Sequence, residues 1–395
     1  MHRTTLTVAG LLGLAMLAPV AIVGSPAAAA VETCRGEPAT IVGTDPNLTG
    51  TEGPDVIVTG PATTVSALGG DDVICVTTIG PTTVDAGRGD DVVVVGHLAN
   101  HAELAGGAGR DVVAVDFTPD AAASIDMAAG RIREVGQYID KTIGLSSFEA
   151  ADVATTWPGG SGEPGPSSVS YRGTDGDDEV TFHFDTFASA PQVTVETYGG
   201  DDEIRFTDTL PHSDDARPRI DAGSGKDRLV FASPNGALDL DLVRGALRSN
   251  RVYGENGEYS EVVLTTVTGV EGALLMAPEV TLAGNRNDNE LSGNGCYVKV
   301  RGGAGHDRLA TVSGDQVWDR FDYGCTPTST LAGGPGRDLL TGSAGKDKLR
   351  GNGGDDRLQG RRGEDVLLGG RGRDFADGGT GRDHCKAERS RHCER

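Results

Sequence analysis

Cut into nines, residues 351–377 read GNGGDDRLQ, GRRGEDVLL, GGRGRDFAD. Glycine opens each nine, returns at its fourth place, and is followed by Asp356, Asp365 and Asp374 at the sixth. From Gly333 the phrase runs through six nonapeptides without a gap, with Asp338, Asp347, Asp356, Asp365, Asp374 and Asp383 at the sixth place. Leu340, Leu349, Leu358, Leu367, Ala376 and Cys385 hold the eighth.

So strict a period means a solenoid. The last residues of each nine, such as DRLQ and DVLL, alternate as a short strand does. The glycine-rich half supplies a turn with backbone at positive φ. One nine is a strand and a turn, and two nines make a coil, stacked on the next at about 4.8 Å. Asp338, Asp356 and Asp374 then form one column, and Asp347, Asp365 and Asp383 another. Carboxylates about 5 Å apart repel by roughly 3 kcal/mol at an effective dielectric of 20. One buried leucine contributes only about 1.5–3 kcal/mol per repeat, against about 9–18 kcal/mol for ordering nine residues of backbone. A hard cation between coils turns the repulsion into attraction. An irregular, all-oxygen site of carboxylates and turn carbonyls suits Ca2+ better than Mg2+.

Looser copies of the phrase precede the array. The N-terminal third carries GTEGPDVIV, ALGGDDVIC, AGRGDDVVV and GGAGRDVVA, with Asp55, Asp72, Asp91 and Asp111. The middle third carries GTDGDDEVT, TYGGDDEIR and AGSGKDRLV, with Asp178, Asp202 and Asp227. GNRNDNELS and GGAGHDRLA lead into the array with Asn289 and Asp307. In the N-terminal copies only every second turn has an aspartate, so any calcium there lines one edge. Ala67, Thr197 and Asn289 depart from the pattern. Two interruptions resemble each other: SIDMAAGRI (124–132) followed by SSFEA, and LDLDLVRGAL (238–247) followed by TGVEG. Each reads as a strand pair inserted in a coil.

The six nonapeptides resemble the RTX (hemolysin-type) calcium-binding repeats, strongly over 333–386 and loosely over about 41–115 and 171–310. The resemblance implies an all-β fold, a parallel β-roll or β-helix, with calcium between a turn and the turn two repeats on. Carried over, the ligand pairs are Asp338/Asp356, Asp356/Asp374, Asp347/Asp365 and Asp365/Asp383.

Composition agrees. With 60 Gly and 5% aromatic residues the chain has little material for a large conventional core. A formal charge of −23 disfavours nucleic acid and anionic lipid and favours cations. Residues 1–30 combine a basic start, an apolar run and SPAAAA, and are expected to be a cleaved export signal. No later segment is apolar enough to span a bilayer, so the expected location is extracellular. The cysteines Cys34, Cys75, Cys296, Cys325, Cys385 and Cys393 suit three disulfides in an exported protein. Proximity favours Cys34–Cys75, Cys296–Cys325 and Cys385–Cys393, the last stapling the tail over the open end of the roll. A zinc site lacks the usual spacing.

The expected organisation is a lobe to residue 160 after the signal, middle repeats over 161–283, a roll over 284–386 and a capped tail over 387–395. WPGGSGEPGPSS (157–168) is the linker candidate. HAELA at His101 lacks the second histidine of a zinc protease helix, and GGSGE (159–163) lacks the last glycine of a nucleophile elbow. No catalytic domain is expected. The alternatives are an enzyme site in the insertions, around 116–165 or 236–280, or a carbohydrate- or ice-binding solenoid face. Residues 333–395 hold 14 Lys/Arg against 11 Asp/Glu. Those cations read first as neutralising the calcium-free array, and second as a hold on an envelope or extracellular polysaccharide. Calcium ions are the expected partner.

Overall fold

The computed structural model describes residues 32–77, 80–96, 101–117, 121–137, 139–154, 167–183, 191–207, 218–234, 236–253, 259–312 and 323–394. The expected signal segment and the core of the linker candidate lie outside them. Among the described residues there is no helix. The chain winds between two facing sheets, so that successive strands alternate from one to the other.

One sheet has 16 strands, from Ile41–Val42 to Arg389–Arg391, all paired in parallel with in-order neighbours. Its inward residues form one continuous column. Ile57 faces Ile74, then Val93, Val113, Ala151, Val180, Ile204 and Leu229. The column goes on through Ala273, Leu291, Leu309, Leu340, Leu358 and Ala376. In the array the eighth residues Leu340, Leu349, Leu358, Leu367 and Ala376 are fully buried, as strand alternation demands. Leu349 pairs with Leu367 in the facing sheet, an 18-residue coil.

The middle coils are longer, with register partners 24 and 25 residues apart, and are filled by larger side chains. Phe182 stacks on Phe206 at 4.9 Å, and Phe206 lies 5.4 Å from Phe231. Each such aromatic contact adds about 0.5–1.5 kcal/mol beyond its burial. The register carries the Phe231 row on to Leu275, Gly293 and Thr311, so toward the array this row loses its large side chains and the core thins to the leucine column.

Both interruptions enter the facing sheet as antiparallel excursions. Ala122–Asp126 pairs with Arg131–Gly136, which pairs with Ile139–Ser146. Gly236–Asp241, Ala246–Tyr253 and Tyr259–Thr268 repeat the arrangement. The 16-strand sheet bypasses them: Val112–Asp116 pairs directly with Ala150–Ala154, and Asp227–Ala232 with Val270–Met276. Parallel pairing also continues across residue 160, from Ala150–Ala154 to Glu179–His183, and across residue 283, from Val270–Met276 to Glu290–Asn294.

Three disulfides join Cys34 to Cys75, Cys296 to Cys325 and Cys385 to Cys393. The first ties the hairpin Thr33–Cys34/Glu37–Pro38 to the outer face of the first sheet. The last folds the tail back so that Arg389–Arg391 pairs with Phe375–Asp377 and covers the last coil.

Candidate metal centre

Each sixth-place aspartate ends a turn and begins a strand of the stack. Its backbone N–H points along the stack axis toward the next coil, where the next aspartate waits. Asp338 N–H donates to Asp356 Oδ1 at 2.9 Å, and Asp356 N–H to Asp374 Oδ1 at 3.0 Å. On the other edge Asp347 donates to Asp365 Oδ1 and Asp365 to Asp383 Oδ1, both at 2.9 Å. The column thus becomes a ladder in which every carboxylate caps the N–H of the coil before it.

The weaker copies build the same ladder. Asp55 donates to Asp72, Asp72 to Asp91 and Asp91 to Asp111, at 2.8–3.0 Å. Asp178 donates to Asp202 and Asp202 to Asp227. Asn289 donates to Asp307 and Asp307 to Asp338, so this run enters the array. Asp55, Asp72, Asp91, Asp111, Asp178, Asp202, Asp227 and Asp307 all precede strands of the 16-strand sheet and share the edge of Asp338, Asp356 and Asp374.

Every run ends on a glutamate that the sequence reading did not single out. Asp111 N–H donates to Glu149 Oε2 at 2.8 Å, Asp227 to Glu271 at 3.3 Å and Asp374 to Glu388 at 2.9 Å. Asp383 donates to Glu394. The extra methylene lets a glutamate reach the N–H where an insertion or the chain's tail replaces the next Asp turn. The signal was present: Glu149 and Glu271 are the acids of SSFEA and TGVEG, the segments that follow the two interruptions.

Each run also begins in a distinct way. Asp55 Oδ2 accepts from Thr51 N–H at 2.8 Å, Asp178 Oδ2 from Thr174 at 2.7 Å and Asp347 Oδ2 from Ser343 at 2.5 Å. Asn289 Oδ1 accepts from Asn285 N–H at 2.9 Å. All four donors occupy the second place of their nine. The interior rungs lack that donor. Oδ2 of Asp72, Asp91, Asp111, Asp202, Asp227, Asp307, Asp338, Asp356, Asp365, Asp374 and Asp383 is buried without a hydrogen-bond partner. The 14 aspartates picked from the sequence therefore divide into three self-capped starters and eleven with a bare oxygen.

Leaving a buried carboxylate oxygen bare is costly. Burial first, with the charges of neighbouring rungs adding to it against the accepted N–H, pushes Asp356, Asp365 and Asp227 up to about 7. The same causes raise Asp72, Asp91, Asp111 and Asp338 to about 6.

The bare oxygens lie over the opening glycines. A methyl group on Gly351 would collide with Asp356 Oδ2 and lie 2.6 Å from the Gly369 carbonyl oxygen, one coil on. Gly360 stands in the same relation to Asp365 Oδ2 and the Gly378 carbonyl at 2.5 Å. Glycine is required at these places because carboxylate and carbonyl oxygens of successive coils converge where a side chain would start. Among the described residues no three His, Cys, Asp or Glu side chains gather in one place. Further ligands would come from the main chain. That donor set, all oxygen and irregular, fits calcium. Calcium would supply the positive charge that the bare oxygens lack.

A second ladder runs the opposite way at the exposed fifth places. Asp90 N–H donates to Asp71 Oδ1, Asp201 to Asp177 and Arg373 to Asp355, at 2.7–3.0 Å.

Residues 329–358 and 350–385 match the family model of the RTX calcium-binding nonapeptide repeat (four copies). No curated protein matches the chain. Sequence match, 18-residue coil and the Asp–Gly geometry agree: the C-terminal coils are RTX calcium-binding repeats.

Proposed function

We propose that the chain is an exported calcium-binding rod that completes its stacking outside the cell and serves a structural or adhesive role at a surface or matrix. The carrying observation is the set of eleven buried, unpartnered aspartate oxygens aligned along its edges. Five of these belong to the interior rungs of the array, and the other six extend the calcium reading to coils that the family match does not reach. Extracellular calcium modules bind at roughly 10⁻⁴–10⁻³ M, so such coils would stay empty in cytosol and fill outside. The array is the calcium-driven part, because its leucine core is thin. The aromatic-filled middle coils hold without the ion.

A binding or spacing role is preferred over catalysis. The first insertion encloses a cavity of only about 10 Å³ beside Asp116, Glu134 and Lys141, room for about one water, and the groove of about 880 Å³ at Glu271, after the second, is lined by the ladder residues Asp227, Asn289, Asp307, Asp338 and Asp356. No helix among the described residues is long and apolar enough to cross a membrane. Hydrogen exchange of the full chain in chelator, magnesium and calcium tests the reading. The expected result is protection over 333–386 that only calcium brings, with the middle coils protected throughout. Equal protection of the array in chelator would refute calcium-driven stacking.

A further inference from the structure

The outer face of the facing sheet over 297–386 carries an ordered set of cations in a strongly acidic protein. Lys299 pairs in register with Thr330, then Lys348, Val366 and His384. One step along the strands, Arg301 is followed by Ala332, Arg350, Leu368 and Lys386. Charged rows therefore alternate with uncharged ones, and each charged row lies two strands, about 10 Å, from the next.

Lys299, Arg301, Lys348, Arg350 and Lys386 are all exposed. Surface cations in this chain commonly have an acid beside them, as Lys346 has Glu364 at 2.5 Å and Arg228 has Glu203 at 3.1 Å. Among the described residues, these five form no ion pair. Beside Lys299, Tyr297 is 66% exposed and offers an apolar ring face with a polar tip. Between the first two charged rows lies a groove of about 540 Å³, floored by Thr328 and Thr330 and bordered by Glu279 at its far end. The cations are not needed to neutralise the aspartate ladders, which run along the coil edges and not on this face.

We infer that this face binds an extended, sparsely charged acidic polysaccharide, its carboxylates or sulfates on the cation rows and a sugar ring on Tyr297. Rows about 10 Å apart suit a polymer with one anionic group per disaccharide. Duplex DNA carries a charge every ~1.7 Å, and most of its phosphates would find no partner here. The inference deepens the adhesive role proposed above and takes its extracellular setting from that reading.

Binding of the full chain to hyaluronan in calcium tests it, with dextran as the neutral polymer and duplex DNA as the dense polyanion. Hyaluronan has one carboxylate per disaccharide. The triple variant Lys299→Gln/Arg301→Gln/Lys348→Gln is expected to bind about tenfold more weakly, as for loss of three exposed charge contacts. Arg308→Gln/Arg357→Gln, on the outer face of the opposite sheet, should bind as the parent does. No binding to hyaluronan, tighter binding to DNA, or equal losses in both variants would overturn the inference. Circular dichroism of the same samples separates the two readings. A chain whose fold ignores calcium but binds hyaluronan through Lys299 refutes the calcium reading alone. One that folds on calcium and binds no polymer refutes this inference alone.

Discussion

Asp356 sits at the centre of the array, and its two carboxylate oxygens have separable duties. Oδ1 accepts the Asp338 N–H at 2.9 Å, while Oδ2 is buried and unpartnered. Asp356→Ala removes both; Asp356→Asn keeps an acceptor for the N–H and removes the charge. In chelator the alanine variant leaves a buried N–H unsatisfied, at a cost of about 1–3 kcal/mol. The asparagine variant should be as stable as the parent or more so, since it relieves repulsion with Asp338 and Asp374. The chain already holds an uncharged asparagine at the start of one run. Asn289 accepts from Asn285, donates its N–H to Asp307, and turns its Nδ2 to the Glu271 carbonyl at 3.2 Å. In calcium the order changes. A site with a Kd of roughly 10⁻⁴–10⁻³ M contributes about 1.4–2.7 kcal/mol at about 10 mM ion. Asp356 is shared by the expected pairs Asp338/Asp356 and Asp356/Asp374, so either substitution should forfeit about 3–5 kcal/mol of calcium-linked stability. Urea unfolding followed by far-UV circular dichroism, in chelator and in calcium, measures both quantities. An asparagine variant that costs as much as alanine in chelator, or that keeps the full calcium gain, would refute these separate duties of Oδ1 and Oδ2.

The raised aspartates set a pH dependence. Asp356 and Asp365 stand at about 7 when folded against an ordinary carboxylate value of 3.8, so the folded chain holds protons that the unfolded chain releases. Stability in chelator is then fully present below about pH 4 and lost as pH rises through about 7; thermal melts at pH 5 and pH 8 should show the higher midpoint at pH 5. Calcium competes with those protons, so its apparent affinity should rise over the same interval, which calorimetric titration at the two pH values checks. Gly351→Ala puts a methyl group against Asp356 Oδ2 and the Gly369 carbonyl and should abolish the calcium response of the array while leaving protection of the middle coils unchanged in hydrogen exchange. Cys385→Ser/Cys393→Ser opens an 8-residue separation and should cost about 2–3 kcal/mol, read as lost protection over 384–391 with the N-terminal coils unaffected.

The sequence alone determined the coil. A recurrence of glycine, aspartate and leucine every nine residues leaves one arrangement in which strands alternate sides, leucines share an interior and aspartates line up on the edges, because side-chain period and stacking distance are fixed by the backbone. It also determined that the loose copies with Asp72 or Asp202 belong to the same stack, although their spacing is uneven. Tertiary structure decided which oxygens are free. Asp55 and Asp356 look alike in sequence, but Thr51 satisfies one oxygen of Asp55, and no such donor reaches Oδ2 of Asp356. Glu149, Glu271, Glu388 and Glu394 became ladder ends only once insertions and tail were folded, since each meets a partner 11 to 44 residues away. The rows of Lys299, Lys348 and Lys386 likewise exist only across strands. A hydrogen bond or a charged row depends on which groups meet between coils, and the repeat fixes the place of meeting without naming what arrives there.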